Sequence, residues 1–114
     1  INSLNDCIDV SKGSYLFETL KLNKCMDKGI SIGEKSEFSA QDIFIENSYI
    51  GTSVKDLSSA NYKNLEIING KICIEAIQKK QEFGGGKLFV NNLKCEVGIN
   101  LIDKNSSVRV INSI

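Results

Sequence analysis

Asp27-Lys28-Gly29-Ile30-Ser31-Ile32-Gly33-Glu34-Lys35-Ser36 leads through Ile43-Phe44-Ile45-Glu46-Asn47 to Gly51-Thr52-Ser53-Val54-Lys55-Asp56-Leu57-Ser58. A glycine, a short alternating apolar strand, a charged corner and a serine occur twice in that stretch, 22 residues apart. Internal repeats are sought before local structure because their period dictates the architecture. Stepping by 22 aligns Ile8, Ile30, Thr52 and Ile74, then Val10, Ile32, Val54 and Ala76, then Cys7, Gly29, Gly51 and Cys73. Ser14, Ser36 and Ser58 align at the corner, where the next step lands on Lys80. A second strand repeats with steps of 22 and 23: Ile43, Leu65, Leu88; Ile45, Ile67, Val90; Asn47, Asn69, Asn92; Ile50, Ile72, Cys95. A last partial copy runs Val97, Ile99, Leu101, Val108, Val110, Asn112, and the first copy carries Leu20 and Leu22 one residue out of step.

The period lies in the range of solenoids, whose repeats contact only their neighbours. The laps are predicted at about 1–29, 30–51, 52–73, 74–97 and, in part, 98–114. Each offers short β-branched strands joined by Gly, Ser and Asn corners. A leucine-rich horseshoe shares the period, and Leu65-Glu66-Ile67-Ile68-Asn69 echoes its pattern. That fold needs a helical half in every repeat, whereas here the other half reads Ile-Ser-Ile and Thr-Ser-Val, too short and too β-branched for a helix. The expected fold is therefore an all-β, right-handed parallel β-helix of 4–5 turns. It reads as a segment of a longer solenoid: neither end resembles a cap, and the chain starts at Ile1 without a methionine. Asn47, Asn69 and Asn92 are expected to form an amide ladder at a sharp bend, as stacked asparagines do. Gly84-Gly85-Gly86, closing the long corner from Gln78, implies a flexible or tightly bent loop.

Composition narrows the function. Hydrophobic residues are 41% of 114, with no Pro, Trp or His. Fourteen basic and fourteen acidic side chains balance, which argues against bulk attraction to nucleic acid or an anionic membrane. No apolar run reaches the ~20 residues that span a bilayer. The four cysteines are read as reduced, small apolar residues. Cys7 and Cys73 stand three laps apart, roughly 14 Å at ~4.8 Å per strand, beyond the ~7 Å limit of a disulfide. Cys25 and Cys95 are also about three laps apart, and Cys73 and Cys95 fall in different columns. With no CxxC pair and no histidine, a transition-metal site is not offered.

Polar residues collect at one edge, where the first strand of each lap ends: Asp6, Asp9, Asp27, Lys28, Glu34, Lys55, Asp56, Lys79, Lys80 and Glu82. Lys12, Glu34 and Asp56 share a column, so Glu34 and Asp56 would be a like-charge pair on adjacent laps. Lysines would relieve it, or a hard cation such as calcium would. Three readings fit this edge. One is a structural ion-pair network. Another is a catalytic groove, with Lys55, Lys79 or Lys80 as the base that abstracts a sugar proton and with Asp56 and Glu34 as orienting or metal-holding groups. The last is glycan binding without turnover, with Tyr15, Tyr49, Tyr62 and the phenylalanines as the available rings. A purely structural stalk is a further class.

Asn5-Asp6-Cys7-Ile8-Asp9, Asp27 to Ser36, Lys55-Asp56-Leu57-Ser58 and Lys79-Lys80-Gln81-Glu82-Phe83-Gly84 resemble successive turns of a bacterial group of right-handed parallel β-helix proteins in the pectin-lyase-like superfamily. The departure is Cys7, where that group carries glycine. The resemblance implies a module of a larger exported or cell-surface protein, in some members associated with spore-coat-type kinase domains. It implies carbohydrate or other domains of the chain as partners, and leaves the reaction open between contact and uronate-polymer lyase or epimerase chemistry.

Overall fold

An unbroken run of strand from Ile8 to Lys55 (β1) covers 48 residues. Fully extended it would reach roughly 160 Å, yet the longest dimension of the molecule is 33 Å. The run is therefore coiled. In this computed structural model, which describes residues 2–114, β1 winds through successive laps and is followed by β2 (Ser59–Ile77), β3 (Lys87–Cys95), β4 (Asn100–Ile102) and β5 (Ser107–Ser113). Every pairing between these strands is parallel: β1 with β2, β2 with β3 and β4, β3 with β5. The chain is a parallel β-solenoid of about four turns, without a helix among the described residues.

The 22-residue step is exact between β1 and β2. Ile43 lies beside Leu65, Ile45 beside Ile67, Ile50 beside Ile72, Thr52 beside Ile74 and Val54 beside Ala76. The inward members of these columns form one apolar core with Ile30, Ile32, Phe38 and Val90. Volume is traded between adjacent laps: Phe38 lies over Ala60, while Ala40 lies under Tyr62. Phe38 and Tyr62 meet edge to face at 6.1 Å, a favoured aromatic geometry. The Tyr62 hydroxyl is buried with the Thr52 hydroxyl, 2.7 Å away, and burial pushes the Tyr62 pKa up against that hydrogen bond.

Beyond Ile77 the expected columns are wrong. The corner from 78 to 86 lengthens the lap, so Ile67 lies beside Cys95, 28 residues on, instead of Val90. Leu88 lies beside Ala60, Val90 beside Tyr62 and Leu93 beside Leu65. Asn92 consequently leaves the predicted ladder. Asn47 and Asn69 do stack at a bend, both in the left-handed region, and Asn69 donates to Asn47, which donates to Asn23. Asn92 instead belongs to a second ladder: Asn112 donates to Asn92, Asn92 to Asn64, and Asn64 to Asp42. Amides can donate and accept along a stack without a net charge on each lap, so the longer ladder is the one that runs on to β5.

The cysteine reading is also corrected. Cys7 is bonded to Cys25 and Cys73 to Cys95, with Cα separations of 5.3 and 6.2 Å. The 28-residue lap brings Cys95 beside Ile67 rather than Ile72, which places it across a corner from Cys73. In the middle laps that corner is filled differently. A Cβ on Gly29 would lie 2.8 Å from Ile45, and one on Gly51 would collide with Ile67. Glycine and isoleucine thus share the space that Cys73 and Cys95 share one lap later.

The three glycines are tightly bent, not loose. Gly85 and Gly86 are buried. A side chain on Gly85 would meet the Asn105 carbonyl of the next lap, and one on Gly86 the Val54 carbonyl of the previous lap. Gln78 holds the corner from inside, donating through its amide to the carbonyls of Lys80, Gln81 and Phe83.

Candidate functional site: the charged edge

Each lap must turn sharply where its first strand ends, and the turn leaves backbone N–H groups without ladder partners. Side chains from neighbouring laps supply acceptors. Asp6 Oδ1 accepts from Lys28 N at 3.1 Å. Asp56 Oδ1 accepts from Lys79 N at 2.7 Å and Lys80 N at 2.9 Å. Asp103 Oδ2 accepts from Gln78 N at 2.7 Å, while its Oδ1 accepts from Ser106 Oγ and Asn105 N. Serines complete the set: Ser58 Oγ accepts from Ser36 N and donates to the Gly33 carbonyl, and Ser106 Oγ accepts from Gly86 N. Asp56 is only 2% exposed and sits in the left-handed region at φ 51°. Its place is that of a clamp on the next corner.

This settles how Glu34 and Asp56 coexist on adjacent laps. Lys35 N donates to the Asp56 carbonyl, so the expected neighbour relation holds. The carboxylates do not oppose each other bare, because Asp56 is held by backbone N–H groups and Glu34 is ion-paired with Lys80 from two laps away. Lys80 is half exposed, so this pair contributes little to stability. Among the described residues no three carboxylate or cysteine side chains converge as a metal-binding group.

The other edge residues gather on the outer face of the first strands. Ser53 and Glu75 are neighbours across β1 and β2, and Ser53 Oγ donates to Glu75 Oε1 at 2.6 Å. Lys55 Nζ donates to Ser31 Oγ at 3.0 Å. Ser31 and Ser53 are buried although they point away from the core, because long charged side chains lie across them. Burial lowers the Lys55 pKa below the usual lysine value; the positive charges of Lys28 and Lys79 lower it further, against the pull of Asp9 and Glu75. At Lys28 burial works in the same direction, but a hydrogen bond to Asp27 and the charges of Asp6, Asp27 and Glu75 outweigh it, so its pKa is raised. Asp9, Lys28, Lys55 and Glu75, on the strands, therefore form one interacting group, which Lys79 joins from the start of the corner. Glu34, Lys80 and the exposed Glu82 belong to the corner instead. Glu75, Ser31 and Ser53 were not among the residues expected at this edge. The signal was present as the outward column Asp9, Ser31, Ser53, Glu75 in the same 22-residue step.

Two expected outcomes follow from the clamps. Asp56→Ala leaves two part-buried N–H groups without their buried acceptor and puts alanine in a left-handed backbone. It should cost about 2–4 kcal/mol, whereas Asp56→Asn, which keeps the acceptor and tolerates that backbone, should cost less than half as much in urea unfolding. Asp103 is held below the ordinary value of 3.8 by the Gln78 N–H first and Ser106 next. A carboxylate whose pKa is depressed by folding adds stability above the unfolded value and loses it as pH falls through the lower folded one. Wild-type stability should therefore drop as pH falls from about 3.8, and Asp103→Asn should flatten that part of the acid-unfolding curve.

The fold and this edge together define a disulfide-bonded parallel β-solenoid with a clamped, charge-bearing border. Comparison with family models, with curated proteins and with solved structures returns no match to the chain.

Proposed function

We propose that the chain is the β-solenoid module of an exported or cell-surface protein, and that its charged edge makes contact with carbohydrate or with another protein. The observation that carries this reading is the group Asp9, Lys28, Lys55 and Glu75 on the strands, joined by Lys79 from the adjoining corner and set over two buried serines. Pre-organised charges and hydroxyls lose little freedom on binding. The export part rests on the two disulfides, which use all four cysteines and persist in oxidising compartments. No helix among the described residues is long and apolar enough to cross a membrane. The test is a glycan array with a parallel surface-protein pull-down, comparing wild type with Glu75→Gln and Lys55→Ala. Binding that both substitutions weaken supports the reading; wild-type silence in both assays refutes it.

A second reading, part of a uronate-polymer lyase or epimerase, is favoured by one feature: the half-buried Lys55 amine, its pKa lowered by burial and by the charges of Lys28 and Lys79. An amine so placed serves as a general base more readily than an exposed one. It requires that wild type generate unsaturated sugar ends from uronate polymers and that Lys55→Ala abolish this with the fold intact. A stalk would show neither binding nor turnover.

A further inference from the structure

A different face of the solenoid carries a second candidate site, and it shares no residue with the edge. Three outward columns run along it: Glu37, Ser59, Lys87, Ser107; Ser39, Asn61, Phe89, Arg109; and Gln41, Lys63, Asn91. Two depressions, of about 300 and 250 Å³, lie on either side of the middle column and share Asn61 and Phe89. Lys63 and Asn91 line the first, Lys87 and Arg109 the second. No aspartate or glutamate lines either depression among the described residues. In a chain of zero net charge, a trough with three cations and no carboxylate is a local segregation of charge. The Arg109 guanidinium lies over the Phe89 ring at 5.8 Å, near the outer limit of a cation–π contact.

We propose that this trough binds an anionic polysaccharide lying along the solenoid axis. The half-buried Phe89 offers a ring to the apolar face of a sugar. The exposed amides of Asn61, Asn91 and Gln41 donate to and accept from sugar hydroxyls. Lys63, Lys87 and Arg109 meet carboxylate or sulfate groups, Arg109 in the two-pronged manner open to a guanidinium. The laps repeat at ~4.8 Å, close to one sugar unit of an extended glycan and shorter than one nucleotide of an extended strand. A single ring in the trough also falls short of the successive stacking rings with which proteins hold single-stranded nucleic acid.

The experiment is titration of the intact chain, followed calorimetrically at two salt concentrations, with alginate oligosaccharides, dextran sulfate, neutral dextran and oligothymidylate. Binding of alginate or dextran sulfate, whichever charge the site prefers, is expected with neutral dextran silent. Phe89→Leu should weaken it about tenfold. Lys63→Gln and Arg109→Gln should each weaken it and flatten its salt dependence, and Glu37→Gln, at the rim, should strengthen it. Lys71→Gln, an exposed cation outside both the trough and the charged edge, should leave it unchanged, which separates this site from the overall charge of the chain. The proposal is overturned by absence of anionic-glycan binding, by equal binding of neutral dextran, by tighter binding of oligothymidylate, or by loss of binding in Lys71→Gln with Phe89→Leu unaffected. Circular dichroism of each variant excludes unfolding as the cause of a loss.

Discussion

Gly86→Ala is expected to destabilise the chain by about 3 kcal/mol or more, at the top of the range for overpacked sites, and to leave little folded protein at body temperature. The Cβ would collide with the Val54 carbonyl and come within 3.0 Å of Lys55 N. Both belong to the backbone of the preceding lap, which is itself locked in the parallel ladder and cannot withdraw without breaking pairing on the other side. Gly51→Ala should be nearly as severe, since its Cβ would lie 2.7 Å from the Cys73 carbonyl. Gly33→Ala provides the comparison. Its nearest neighbour would be the Val10 carbonyl at 3.5 Å, ordinary contact, and its φ is not in the left-handed region. That variant should change urea unfolding by less than about 1 kcal/mol. Equal effects of Gly86→Ala and Gly33→Ala would mean that the laps at the long corner are not packed backbone to backbone.

Removing either disulfide is the second large effect. Cys73 and Cys95 close a loop of 22 residues and Cys7 and Cys25 one of 18. Loops of that size restrict the unfolded chain by about 3 kcal/mol each. The double variants Cys7→Ala/Cys25→Ala and Cys73→Ala/Cys95→Ala should each lower the thermal midpoint by roughly 10–20 °C. Addition of dithiothreitol to wild type should lower it by more than either. The Cys73/Cys95 pair allows a sharper check. Because Gly51 and Ile67 fill the equivalent corner one lap earlier, replacing Cys73 by glycine and Cys95 by isoleucine should recover packing that the alanine pair lacks, but not the constraint on the unfolded state. Its stability should fall between wild type and the alanine pair. A reduced wild type that melts with the oxidised one would remove the covalent staples from any account of this fold, and with them the main support for an oxidising compartment.

The repeating step made most of this architecture legible beforehand. Ile43 over Leu65, Ile45 over Ile67 and Val54 over Ala76 followed from counting alone, because a solenoid converts a sequence period directly into a spatial one. The adjacency of Glu34 and Asp56 was legible for the same reason. Counting failed past residue 77, where residues 78–86 lengthen the lap and the register is set by where Lys87 rejoins the ladder beside Ser59. No local pattern states how many residues a corner absorbs. Leu88 and Val90 suit the columns of Leu65 and Ile67 as well as those of Ala60 and Tyr62, so the apolar pattern could not choose between them. The displaced Asn92, the misplaced Cys95 and the missed Cys73–Cys95 bond all descend from that one ambiguity. Cys7–Cys25 was missed for a different reason: the two stand 18 residues apart inside the expected first lap, and cysteines were compared only between laps.

The chain's own order of residues thus determined that it coils, in parallel, with a 22-residue lap, an apolar interior and a polar border, since these depend only on period and alternation. The tertiary structure alone decided which laps are covalently stapled, that Asp56 clamps backbone rather than facing solvent, that Lys55 lies across Ser31, and that Lys63, Lys87 and Arg109 share a trough with Phe89. Most of those contacts join residues 18 to 46 positions apart, and their existence depends on how each corner closes, a balance of backbone hydrogen bonds and close packing that becomes definite only when neighbouring laps are in place.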